Sequence, residues 1–107
     1  MKKHFRVLLL SAFFLPSLLF ADDSSGNKVA ATIKHRLILD IRHYYDGDSG
    51  FCDLMINMEH KNAYAVVKRV ATTGDSKLCS FIKSRVKKGA KYRYDHPEKL
   101  IQIHINH

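Results

Sequence analysis

The apolar run near the N-terminus decides how much of this 107-residue chain is left to fold. Lys2, Lys3 and Arg6 precede the run, which covers residues 7–20 and is followed by Ala21. A basic segment, a short apolar run and a small residue form the layout of a secretory signal peptide. A membrane anchor is the alternative, but a span needs ~20 apolar residues and this run is shorter. We therefore expect residues 1–21 to be a cleaved signal peptide and the protein to be periplasmic or secreted.

Residues 22–107 are long enough for one domain with one modest core. Cores of this size often need a covalent staple. The chain has two cysteines, Cys52 and Cys79, and export would place both in an oxidising compartment. A single disulfide is the favoured interpretation, and the chain-entropy model gives it roughly 3–4 kcal/mol of stabilisation. The alternative is a pair of buried free thiols.

The hydrophobic periodicity predicts an α-β-β-α-β order. Residues 22–27 are polar and contain glycine, so they are predicted to be a flexible leader before a domain at residues 28–107. Apolar residues at three- and four-residue steps predict helices, and alternating ones predict strands. The predicted elements are a helix at residues 28–45, strands at 52–59 and 63–71, a helix at 76–88 and a strand at 100–105.

This order predicts a small α+β domain in which a three-stranded antiparallel sheet packs against the helices. The second helix runs back along the sheet, so the last strand points in the same direction as the second strand. It can therefore have an antiparallel neighbour only if it lies beside the first strand. The predicted strand order is second-first-third, which makes the last strand an edge. Cys79, near the start of the second helix, would then lie within reach of Cys52 at the start of the first strand.

The histidines offer little support for a metal or catalytic site. His104 and His107 are the best local group, with His96 nearby. Strand alternation puts His104 and His107 on opposite faces, and no cysteine or carboxylate completes a zinc spacing pattern. A nuclease with His60 and His104 as its catalytic pair is the enzymatic alternative, and nothing in their spacing favours it. The sequence therefore predicts no enzyme, no metal site and no cofactor.

A basic stretch with interleaved tyrosines defines the alternative function. Its members are Lys83, Arg85, Lys87, Lys88, Lys91, Tyr92, Arg93 and Tyr94. Tyrosines among cations can stack on single-stranded nucleic acid, and the same cations would suit lipopolysaccharide phosphates. A simpler interpretation is that cations favour the end of a helix, where the dipole is negative, and that the rest is a solvated face. Nucleic acid is the less favoured of these partners.

One constellation of residues resembles a known family. Phe51 and Cys52 open a strand, a hairpin follows, and a Gly74-Asp75-x-x-Leu78-Cys79 segment opens a helix. This pattern is similar to the C-terminal domain of TolA, of the Tol–Pal cell-envelope system, over about residues 29–88, with a looser fit over the last strand. The resemblance also implies a disulfide between the two cysteines.

The chain departs from that family in two ways. TolA is an inner-membrane protein with a long helical rod before this domain, whereas a short signal peptide is predicted here. The Pro-rich connection that follows the second helix in the family is replaced by residues 89–94. Contacts that relatives make through that connection are therefore not implied for this chain.

The resemblance implies a free-standing periplasmic protein-binding module. Its expected partners are a Tol–Pal component, a colicin or a phage protein, for which it would be an accessory or a competitor. Strand addition at an open sheet edge is one recognised binding mode, and the last predicted strand has such an edge. The residues of this candidate partner-binding edge are Leu100, Ile101, Gln102, Ile103, His104 and Ile105.

Overall fold

The structure, a computed structural model, describes residues 22–107. The predicted signal peptide, residues 1–21, lies outside the described residues. Two helices cover one face of a four-stranded antiparallel sheet. Within residues 22–107 neither helix is long and apolar enough to cross a membrane.

The first helix, α1, spans Lys28–Tyr44 and confirms the helix predicted for residues 28–45 to within one residue. Asn27 begins it by accepting a hydrogen bond from the Ala30 amide through its side chain. Four of the five residues that the 3.6-residue period predicts for the apolar face are buried against the sheet: Val29, Ile33, Leu37 and Ile41. The fifth, Tyr44, is wrongly predicted, because it lies in the last turn and is 68% exposed. The backbone becomes extended at Tyr45 and ends the helix there.

A long hairpin forms the centre of the sheet. Strand β1 is Phe51–Lys61 and strand β2 is Tyr64–Gly74, and both are longer than predicted. The turn between them places Asn62 at a φ of 57°, in the left-handed region that asparagine tolerates better than most residues. Alternate residues of β1 face the helices and are buried: Cys52, Leu54, Ile56 and Met58.

The second helix, α2, spans Ser76–Arg85 and is shorter than the predicted 76–88. The Asp75 side chain caps it by accepting from the amides of Lys77 and Leu78, each at 3.1 Å. The helix stops because Val86 turns into an extended conformation and is buried. Gly89, at a φ of 87°, then donates its amide to the carbonyl of Val67 and brings the chain back to the sheet.

The predicted count of three strands is wrong, because a short strand follows α2. Strand β3, Lys91–Arg93, pairs with Tyr64–Val66 of β2, and strand β4 is Leu100–Asn106. The sheet order is β3-β2-β1-β4, so the predicted arrangement of the other three strands is confirmed. A three-residue strand is too short to show a period in the sequence, which indicates only a connection at these residues.

The predicted disulfide between Cys52 and Cys79 is confirmed. It joins the start of β1 to the first turn of α2, with the two Cα atoms 5.4 Å apart. Both residues lie in the apolar core between the sheet and the helices. The bridge therefore fixes α2 on the sheet from inside the core.

Candidate functional site

Among residues 22–107, strand β4 lies at one edge of the sheet and pairs only with β1. Its apolar face is sealed, because Ile101, Ile103 and Ile105 are each 1% exposed. The backbone amides of Gln102 and His104 point sideways out of the sheet edge, away from β1. In an antiparallel pair the N–H and C=O of one residue point to the same side, so the carbonyls of Gln102 and His104 also face outward.

The leader, residues 22–27, contacts this edge. It forms a 3₁₀ helix at Asp23–Ser25 where composition predicted a flexible segment. A carboxylate oxygen of Asp23 accepts from the Gln102 amide at 2.8 Å, and one of Asp22 accepts from the His104 amide at 3.3 Å. The edge that the sequence predicted to be open is therefore partly covered by the chain itself.

Several polar contacts hold Asp22 in this position. The oxygen that accepts from the His104 amide also accepts from Lys34 of α1 at 2.5 Å, and the other oxygen accepts from the Ser24 amide at 3.0 Å. Burial favours the neutral acid, but the hydrogen bonds from Lys34 and Ser24 outweigh that effect and lower the pKa of Asp22 to about 2. Asp22 is therefore a carboxylate at neutral pH, and its charge strengthens the hydrogen bond that it accepts from β4.

In the part of the chain that the structure describes, no helix covers the second face of the sheet. There the His104 ring stacks on Phe51, with centroids 6.0 Å apart, and its Nδ1 contacts the Asp53 carboxylate. Met55 and Leu100 are 44% and 41% exposed on the same face. A segment that paired with β4 would thus find both apolar and polar side chains beside its own.

A second candidate site is a groove of about 490 Å³ between α1 and the segment that follows α2. The groove is lined by Thr32, Arg36, Asp40, Tyr44, Arg85, Lys87 and Tyr92. Asp40 pairs with Arg85 at 3.3 Å and with Arg36 at 3.7 Å, and the Arg85 guanidinium lies 4.8 Å from the Tyr44 ring. Burial raises the pKa of Tyr92, so its phenol stays neutral. Three cations against one carboxylate make this groove basic.

The basic stretch of the sequence does not form one surface. Arg85 and Lys87 line the groove, whereas Lys91 and Arg93 lie on the uncovered face of the sheet because they alternate with Tyr92 in β3. Sequence reasoning missed Arg36, which enters the groove from α1. The helical period places Arg36 off the apolar face but cannot say what it meets there.

The structure does not bring the candidate histidines together. His60 contacts the Tyr94 ring, whereas His104 contacts Asp53, and positions 53 and 60 are roughly 23 Å apart along β1. His107 packs edge-on against Tyr45. Across residues 22–107 no group of three or more His, Cys, Asp or Glu side chains is placed to hold a metal ion.

Comparison of the chain with protein-family models, with curated proteins and with solved structures finds no match.

Proposed function

We propose that this protein is a protein-binding module of the bacterial cell envelope and that its partner adds a strand to β4. The observation that carries the proposal is that, within residues 22–107, the outward backbone amides of β4 are not paired with another strand. The outward amides of Gln102 and His104 are bonded to side chains of the leader and not to another strand. Edge strands present rows of donors and acceptors that a second chain can use.

The chemistry of the edge supports this mode of binding. Each ladder hydrogen bond contributes a net ~0.5–1.5 kcal/mol, so a few bonds need help from side chains. The uncovered face supplies them in Phe51, Met55 and Leu100, which are all more than a third exposed. An incoming strand would lay alternate side chains beside Leu100, Gln102 and His104 of β4, with Phe51 and Met55 one strand further in, and would point the others toward the helix side.

The resemblance to the C-terminal domain of TolA suggests the class of partner. It favours a Tol–Pal component, a colicin or a phage protein, with this chain as an accessory or a competitor. The predicted signal peptide and the disulfide are both compatible with a periplasmic protein. Intact-mass measurement of protein from the periplasm should show a chain that begins at Asp22; a mass that includes residues 1–21 would contradict export with cleavage.

The test is site-directed photo-cross-linking in the producing cells. A photoreactive residue at Leu100, on β4, should capture an envelope protein, and one at Tyr64 serves as the matched control. Both are exposed on the uncovered face, but Tyr64 lies on β2, away from the β4 edge.

A substitution in β4 then tests whether the captured protein pairs with the strand. Gln102→Pro removes an outward donor without removing a bond to β1, and proline is tolerated on edges; Gln102→Ala is the matched control. Binding of the captured protein should fall about tenfold or more in the proline variant, ~1.4 kcal/mol. Normal binding by both Gln102→Pro and His104→Pro, with circular dichroism unchanged, would show that the edge is not the site.

The basic groove supports a second candidate function, the binding of phosphate-bearing ligands such as lipopolysaccharide or nucleic acid. Arg36, Arg85 and Lys87 line it beside two tyrosines. Binding to lipopolysaccharide vesicles or to a single-stranded oligonucleotide should then weaken steeply with salt. It should also fall in Arg36→Ala/Lys87→Ala but not in Lys91→Ala/Arg93→Ala, which removes equal charge from another face.

A further inference from the structure

We propose that the leader is an autoinhibitory segment, which occupies the hydrogen-bonding edge of β4 and must leave before a partner strand can pair there. This inference rests on the proposed function and concerns the regulation of the same edge. Its basis is a pair of contacts, Asp23 on the Gln102 amide and Asp22 on the His104 amide.

The leader and a partner strand would compete for the same atoms. An antiparallel neighbour takes the outward N–H of every second residue, and in the middle of β4 these are the amides of Gln102 and His104. A paired strand also lies ~4.8 Å from its neighbour. The carboxylates of Asp22 and Asp23 already lie within hydrogen-bond distance of that edge, so both occupants cannot be present together.

The leader is attached in a way that permits release. None of the residues of its 3₁₀ helix, Asp23–Ser25, is buried, and Asp22 and Lys34 keep about a quarter of their side chains exposed. The firm attachment begins at Asn27, which is 5% exposed and caps α1. Residues 22–26 can therefore leave the edge while the Asn27 side chain still caps α1, with loss of the hydrogen bond from the Asn27 amide to the Asp23 carbonyl.

A partner strand offers the edge more than the leader does. A carboxylate is an acceptor only, so Asp22 and Asp23 satisfy outward amides and leave the outward carbonyls of Gln102 and His104 without a donor from these two side chains. A backbone strand supplies donors as well as acceptors. A partner strand can therefore bond both the amides and the carbonyls of this edge, and a weak or incorrect strand would not displace the leader.

The test removes the two acceptors from the protein purified from the periplasm. In Asp22→Ala/Asp23→Ala the amides of Gln102 and His104 should exchange with solvent about tenfold faster or more, while those of Ile101 and Ile103, which face β1, should not change. Cross-linking from Leu100 to the captured envelope protein should rise severalfold. Asp46→Ala/Asp48→Ala is the matched control, because it removes the same charge from the loop between α1 and β1.

Each outcome decides a different question. Exchange rates equal to those of the control variant would show that the leader does not occupy the edge, and the inference would be wrong. Faster exchange with unchanged cross-linking would show that the leader does not limit binding, which also overturns it. If Gln102→Pro still abolishes cross-linking in that case, strand addition at β4 is supported and only the autoinhibitory role of the leader is rejected. Asp22→Asn/Asp23→Asn keeps the acceptor oxygens and should give an intermediate rate.

Discussion

Asp22 shows how a single side chain links the leader to the folded domain. Its hydrogen-bond partners are Lys34 from α1, the His104 amide from β4 and the Ser24 amide of the leader itself. The pKa of Asp22 is about 2, against 3.8 for an ordinary aspartate. Because the pKa of Asp22 is lower in the folded protein, its ionised form stabilises the docked leader at any pH above the ordinary aspartate pKa. That stabilisation is lost as the pH falls through the folded-state pKa.

The lowered pKa of Asp22 predicts how the stability of the domain depends on pH. The difference in free energy of unfolding between the wild type and Asp22→Asn should be constant from pH 7 down to about 4, and should shrink as the pH falls toward about 2. Urea denaturation at a series of pH values measures it. A difference that grows on acidification would contradict the assigned role of Lys34 and Ser24.

Position 74 requires glycine because the backbone of Phe51 approaches it closely and because its own φ is positive. Its φ is 139°, and a Cβ atom there would lie 2.5 Å from the carbonyl oxygen of Phe51. Gly74→Ala should destabilise the domain by roughly 1–3 kcal/mol. Gly26→Ala is the control, since Gly26 has a φ of −116° and no atom would lie within 4 Å of its Cβ. Equal urea midpoints for the two variants would contradict this account.

At the scale of elements, long periodic segments were predictable and short ones were not. The apolar faces of α1 and β1 repeat over many residues, and the structure confirms both elements. The end of α2 is predicted three residues too late, because Lys87 and Lys88 suit a helix, whereas the backbone is already extended at Val86. Strand β3 was missed because its pairing with β2, and not its own sequence, defines it.

The disulfide connects two elements that lie far apart along the chain. Cys52 and Cys79 are 27 residues apart, and a loop of that length gives ~3.5 kcal/mol in the chain-entropy model. The double variant Cys52→Ser/Cys79→Ser should therefore lose roughly 2–5 kcal/mol of stability. Urea unfolding at an unchanged slope measures the loss. An unchanged midpoint would show that packing of α2 on the sheet is sufficient without the bridge.

At the scale of the whole molecule, the edge was predictable but its occupant was not. The order of elements forces β4 beside β1, and the structure has that order. The contacts of Asp22 and Asp23 with β4 join residues 82 and 79 positions apart, and they link side chains to backbone. Such contacts leave no period in the sequence. The groove was missed for the same reason, because Arg36 and Arg85 meet only after α1 and α2 pack.

Backbone amide spectra of the labelled domain, recorded with the purified cross-linked partner, test the central claim most directly. Strand addition predicts that the amides of Gln102 and His104 shift and exchange more slowly in the complex, and that the leader resonances move toward their positions in Asp22→Ala/Asp23→Ala. If the shifts instead cluster at Arg36, Arg85 and Lys87 while β4 and the leader stay unchanged, the partner binds the basic groove and the edge-strand account is wrong.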